Sequence, residues 1–298
     1  MVEWATDPRS PFERNTAREA TRKVLDYHVH SDFSVDCTVP MAASCRAAIA
    51  AGVTEIAFTD HVDHEPADPG HGYYRAEAYF RAIEAVRAEF GDRLTILAAA
   101  ELDFNERIAI DVERFLAAHR YDFVIGSVHY GDDGRLIFPE SFAGRTLDDV
   151  FAPYFRQVLL AVETGWFDTI GHLDLPKRYA PRTHRHYDPL AYRDLLEPIF
   201  AALIRRQTAF EINTSGLRQA PRTSMPGPAI VRWYVEAGGC LITTGTDSHA
   251  AQTVGAGLAK TVAMLELCGI ADIAAFKERR RRPIPIAELR ERTESGAV

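Results

Sequence analysis

Seven short β-branched and apolar runs alternate with seven longer amphipathic stretches through nearly the whole chain. That alternation is the mark of repeated βα units around a parallel sheet. Strands are expected at residues 24–29, 55–59, 94–102, 123–128, 169–173, 209–213 and 240–245. Helices are expected at 41–51, 75–90, 108–119, 147–164, 190–206, 227–237 and 253–267, where apolar residues recur three and four apart. Gly52, Gly91 and the Gly238-Gly239 pair stand where three of these helices must stop.

A chain of 298 residues is long enough for one complete α/β barrel, and no composition shift marks a linker. Residues 1–298 are therefore read as a single domain, with 1–23 as an N-terminal arm and 277–298 as a C-terminal tail. The loops at 62–74 and 176–188 are long and rich in Pro, Gly and charge, and on the active face of a barrel such loops shape substrate access. No apolar run approaches the ~18 residues of a membrane span, and the N-terminus lacks the apolar centre of a secretory signal. The cytoplasm is the expected compartment. Cys37, Cys45, Cys240 and Cys268 lie far apart beside apolar segments and are expected to pack as reduced hydrophobes. A net charge of -8 opposes attraction to nucleic acid backbones and anionic membranes. The basic run from Lys277 to Arg282 could attract an anion locally, although such a run is more often a solvated helix end.

Histidines and carboxylates gather where the expected strands run out. His28 and His30 close the first strand, and two residues apart in an extended chain they point the same way. Asp36 follows in the loop; His61 follows the second strand, His129 the fourth, His172 lies in the fifth, and Asp247 and His249 follow the last. Glu101 stands in the third strand after Leu97-Ala98-Ala99-Ala100, where an unpaired carboxylate would suffer heavy desolvation and a cation is the simplest compensation. Each residue taken alone has a bland reading as a satisfied core or loop side chain. A core built only for stability, however, would not concentrate them at one end of the sheet. The His184 and His186 pair has no strand before it and reads as polar loop, and His64 and His71 read as surface or substrate-contact residues.

The segments Asp26-Tyr27-His28-Val29-His30-Ser31, Phe58-Thr59-Asp60-His61, Glu101, Gly126-Ser127-Val128-His129, Gly171-His172-Leu173-Asp174 and Gly245-Thr246-Asp247-Ser248-His249 follow one another along the chain. In that order they resemble the motifs of the polymerase and histidinol phosphatase (PHP) superfamily. The stretches around His129, His172 and Glu211 to Arg218 resemble its stand-alone histidinol-phosphatase branch. The resemblance implies a distorted (βα)7, TIM-like barrel holding two to three divalent ions, zinc, manganese or iron, at the C-terminal ends of the strands. It implies one ion on His28, His30, Glu101 and Asp247, a second on Glu101, His129 and His172, and a third on Asp36, His61 and His249. Some family members have histidine at the position of Asp36.

The activity implied is hydrolysis of a small phosphomonoester, L-histidinol phosphate in histidine biosynthesis, with a hydroxide between two ions as nucleophile and no side chain assigned as catalyst. Lys177, Arg178 and Arg218 follow strands on the same face and are the candidate substrate-binding residues. Two other readings are a PHP phosphoesterase acting on nucleotides and a non-catalytic, metal-stabilised module. The acidic charge and the lack of a basic, aromatic track argue against long nucleic acid. No ligand position is missing, which argues against the module.

Overall fold

A computed structural model of the protein describes residues 22–181 and 187–289. Eight parallel strands form the sheet: β1 (Leu25–Val29), β2 (Glu55–Phe58), β3 (His61–Val62), β4 (Thr95–Asp103), β5 (Phe123–Ser127), β6 (Thr169–Ile170), β7 (Ala209–Asn213) and β8 (Ile242–Gly245). Their order is β1-β2-β4-β5-β6-β7-β8, with the short β3 paired to the far half of β4. Beyond β8, Ser248 returns to β1: His30 N donates to the Ser248 carbonyl at 2.9 Å, and Ser248 N to that of His28. This link brings the two ends of the sheet together as a distorted barrel of the kind expected.

Helices α1 (Met41–Ala50), α2 (Ala76–Phe90), α3 (Ala109–Ala118), α4 (Asp148–Thr164), α5 (Arg193–Arg206), α6 (Ser215–Arg218), α7 (Pro228–Glu236) and α8 (Leu258–Leu267) lie between and after the strands. Seven of these match the expected helices within a few residues; the one-turn α6 has too short a pattern to read. In α4 the residues Phe151, Tyr154, Phe155, Val158 and Val162 repeat at helical spacing and are buried against the barrel. The strand expected at 169–173 ends at Ile170, because His172 has φ +24° and so leaves the extended region. Three cysteines are buried as expected, but Cys240 precedes β8 and is exposed.

The C-terminal segment departs most from the sequence reading. Lys277 to Arg282 is neither tail nor helix end but the turn of an antiparallel hairpin, β9 (Asp272–Lys277) and β10 (Arg280–Pro285). Phe276 packs on Phe123 of β5 with ring centroids 5.2 Å apart, and its N–H donates to the Tyr27 hydroxyl at 3.0 Å. That hydroxyl in turn donates to Glu55, which also pairs with Arg282, while Arg279 Nε meets Asp168 at 2.5 Å. Glu55 begins β2 and Asp168 precedes β6, so this hairpin covers the N-terminal end of the barrel. The arginines neutralise acids there, away from the C-terminal ends of the strands. The N-terminal residues 1–21 and the His184 and His186 pair lie outside the described residues. Among the described residues no helix is long and apolar enough to cross a membrane.

Candidate metal centre

Every histidine and carboxylate singled out at the strand ends arrives in one place. His28 Nε2 is 3.2 Å and His30 Nε2 3.5 Å from Glu101 Oε2, and His30 Nε2 is 3.4 Å from Asp247 Oδ1. On the other oxygen, Glu101 Oε1 is 3.0 Å from His172 Nε2 and 3.8 Å from His129 Nε2. Toward the rim, Asp36 Oδ2 is 3.0 Å from His249 Nε2 and 3.7 Å from His61 Nε2. Glu101 thus lies between two groups of histidines. His61 is less tidy: it is in register with Glu101 across β3 and β4, and its Nδ1 is 3.0 Å from Glu101 Oε2. It can therefore join Glu101 and His129 as readily as Asp36 and His249, and His30 likewise stands within reach of the rim group.

The outer partners decide which nitrogen of each ring is bare. Glu211 Oε1 lies 2.6 Å from His28 Nδ1; a carboxylate only accepts, so the proton sits on Nδ1 and the Nε2 lone pair is left facing the cluster. Ser34 Oγ gives its one proton to Asp60 at 2.9 Å, so toward His30 Nδ1, also at 2.9 Å, it can only accept. His30 too is left with a bare Nε2. His249 Nδ1 faces the Asp247 carbonyl at 3.2 Å, with the same result. Among the described residues, the Nε2 atoms of His28, His30 and His249, His61 Nδ1 and Glu101 Oε2 are all buried without a hydrogen-bond partner. Buried polar atoms are seldom left unpaired, and five gathered in adjoining groups fit sites for divalent cations.

The acids around His28 call for a positive charge, which a proton on Nε2 or a divalent ion in its place would supply. Burial opposes a proton on His28, yet Glu211, Glu101 and Asp247 outweigh it and hold the pKa well above the ordinary histidine value. Burial, with His249 and His61 beside it, pushes His30 down to about 3, so this imidazole is neutral and able to ligate. Burial likewise opposes ionisation of Glu101 and Asp247; His28 and His61 overcome it for the first, Arg178 and His28 for the second, and both stay well below the usual carboxylate range.

Two of the gathered residues have left-handed backbone, His172 at φ +24° and Asp247 at φ +52°. Non-glycine residues in that region cost energy that the surrounding fold must offset, and they cluster at functional sites. Gly245 shows how close the approach is, since a Cβ there would collide with the His28 side chain and with Glu211 Oε1.

The cluster opens into a cavity of about 230 Å3 lined by Asp36, His61, Glu101, His129, His172, Asp247 and His249. The loops at 62–74 and 176–188 do shape it, through Asp63, Asp68 and Pro69 and through Arg178 and Tyr179. A third wall, Leu136 to Phe138, comes from the loop after β5, which the sequence did not single out. Of the three candidate substrate-binding residues, Arg178 lines this cavity. Its Nη2 donates to Asp247 Oδ2 and Ser215 Oγ, both at 2.7 Å, while its Nε is buried with no acceptor among the described residues. Lys177 faces a neighbouring cavity of about 480 Å3 and is tied to Asp174 at 2.7 Å. Arg218 Nη2 donates to the Thr246 carbonyl at 2.7 Å, behind the Asp247 turn. His64 packs on Phe115 and His71 is exposed, neither lining the metal-side cavity. The sequence reading passed over the supporting residues Glu211, Ser34 and Asp103, whose Oδ1 is 3.4 Å from His129 Nδ1. For Glu211 the signal was there: a carboxylate within a buried strand, as at Glu101.

A family model described as the PHP domain matches residues 26–215. The histidinol-phosphatase of Lactococcus lactis is 32% identical over 257 residues, covering 85% of this chain and 94% of that protein. The probable histidinol-phosphatase of Deinococcus radiodurans is 30% identical, covering 87% and 99%. Among solved structures, that of the Lactococcus lactis histidinol phosphate phosphatase complexed with zinc, L-histidinol and phosphate is similar, with a TM-score of 0.80 and 29% identity. It covers 87% of this chain and 98% of that one.

Proposed function

Since the chain belongs to the PHP domain family, we propose that it is a metal-dependent phosphomonoesterase releasing phosphate from L-histidinol phosphate. The observation that carries this is the convergence of bare, buried imidazole nitrogens and Glu101 on one cavity that Arg178 also lines. The Lactococcus lactis structure, a complex with zinc, L-histidinol and phosphate, supports the same chemistry. By this reading the enzyme belongs to histidine biosynthesis and works in the cytoplasm.

One ion would be held by His28, His30, Glu101 and Asp247, a second by Glu101, His129 and His172, and a third by Asp36, His61 and His249. The distances around Glu101 support the first two sets. His61, within reach of both Glu101 and Asp36, links the second and third. Mixed imidazole and carboxylate donors suit zinc, manganese or iron. When bound, divalent ions supply acidified water and offset the charge of a phosphoryl group.

The chain's own residues do the rest. Glu211, Ser34 and the Asp247 carbonyl fix the tautomers of His28, His30 and His249, so no ring has to reorganise when ligand arrives. Arg178 has one nitrogen committed to Asp247 and Ser215 and an unpartnered Nε, which places a rigid donor fork to orient a phosphate oxygen. Leu136, Ile137, Leu175 and Tyr179 narrow the cavity and limit water around the bound ester. The test is phosphate release from L-histidinol phosphate, a nucleoside monophosphate and an aryl phosphate by protein of known metal content. Preference for L-histidinol phosphate is expected; preference for the nucleotide, or metal without turnover, would reject the reading.

A further inference from the structure

One wall of the cavity takes no part in holding metal. Asp63 stands two residues after His61, just beyond β3, and both line the cavity. Asp63 is only 8% exposed, and among the described residues no hydrogen bond or ion pair reaches its carboxylate. Asp68 lies alongside: a Cβ on Gly70 would strike Asp63 Oδ2 and stand 3.1 Å from Asp68 Oδ1. Asp68 takes bonds from the Tyr130 hydroxyl at 2.8 Å and from Gly70 N at 2.7 Å, neutral donors that leave its charge uncompensated. Besides the histidines of the cluster, Arg178 is among the described residues the one guanidinium or amine lining the cavity, and it is paired with Asp247. The same cavity has an apolar and aromatic part, with Phe138 stacked on Tyr179 at 5.0 Å.

A nine-tenths buried carboxylate without a donor, beside a second one, calls for a cation from the ligand. We propose that Asp63, backed by Asp68, selects phosphomonoesters whose leaving alcohol carries an ammonium group, while Phe138 and Tyr179 receive a flat ring. This rests on the phosphatase reading and names the residue that reads its substrate. L-histidinol carries its amine on the carbon next to the hydroxymethyl group, so the cation must sit within a few bonds of the reacting ester. Asp63, two residues from His61, has that proximity. A substrate without the amine leaves the carboxylate buried and unpaired, which is the kind of penalty from which sharp discrimination arises.

The experiment compares kcat/KM for L-histidinol phosphate with that for the analogue in which hydrogen replaces the amino group. In the wild type the amine should be favoured by roughly tenfold or more. In Asp63→Asn that ratio should fall toward one, and in Asp68→Asn part of the way. Both substrates meet the same fold and the same metal content in each variant, so damage common to both cancels. A wild-type ratio near one, or a ratio that Asp63→Asn leaves intact, overturns the assignment. Release of phosphate from neither ester would overturn the phosphatase reading instead. The assignment would then be decided by calorimetric binding of L-histidinol against its deaminated analogue to the metal-loaded wild type and Asp68→Asn proteins, where equal affinities would reject it.

Discussion

Glu211 Oε1 on β7 and His28 Nδ1 on β1 lie 2.6 Å apart, although the two strands do not pair with each other. Glu211 also accepts the His172 backbone N–H at 2.9 Å and Asn213 Nδ2 at 3.1 Å, so one carboxylate orients two of the gathered histidines. Replacing Glu211 by Gln keeps the volume and removes the charge. Metal affinity should fall roughly ten- to a hundredfold, read by titration against a competing chelator, with the circular dichroism spectrum retained. Wild-type affinity would show that Glu211 only fills space.

Stripping divalent ions by dialysis against a chelator should abolish phosphate release and lower Tm, and adding zinc or manganese back should restore both. Ions that bind only the folded chain stabilise it by about 2.7 kcal/mol at a hundredfold excess over Kd. Undiminished turnover by protein shown to be metal-free would overturn the mechanism.

Arg178→Lys preserves the charge beside Asp247 but not the planar fork. If Arg178 orients phosphate, KM should rise roughly tenfold or more while bound metal is unchanged. Equal KM values in variant and wild type would remove Arg178 from substrate binding.

Gly245→Ala places a methyl group against His28 and Glu211. Overpacking of this kind costs about 1 to 3 kcal/mol, so the urea midpoint should fall and metal loading with it. A variant as stable and as fully loaded as the wild type would mean that the barrel relaxes around the added methyl.

At the other end of the barrel, Tyr27→Phe leaves Glu55 and the Phe276 N–H without a shared partner. A loss of about 1 to 3 kcal/mol in stability is expected, with kcat preserved, because the hairpin lies away from the face where the histidines gather. A drop in kcat at unchanged stability would instead couple the hairpin to the active face.

The main strands, the helices and the end of the sheet where histidines and carboxylates gather were legible because each depends on local order. β-branched runs, helical spacing and the two-residue period of His28 and His30 are properties of adjacent residues. The hairpin at Asp272 to Pro285 was hidden because four consecutive arginines dominate its composition, and their acidic partners, Glu55 and Asp168, lie more than a hundred residues away in the chain. Lys177 illustrates the same limit in the site itself: a base after a barrel strand is placed on the active face by topology, but its Asp174 contact turns it toward the neighbouring cavity.

Sequence by itself determined the βα rhythm and which side chains stand at the strand mouths, since these follow from the period of an extended or helical backbone. Only the closed barrel decided which nitrogen of each imidazole is bare, which arginine meets the cavity and which carboxylate is left without a donor. Those depend on pairs such as His28 and Glu211, 183 residues apart, whose distance is set by how the sheet curves and closes rather than by anything written locally in the chain.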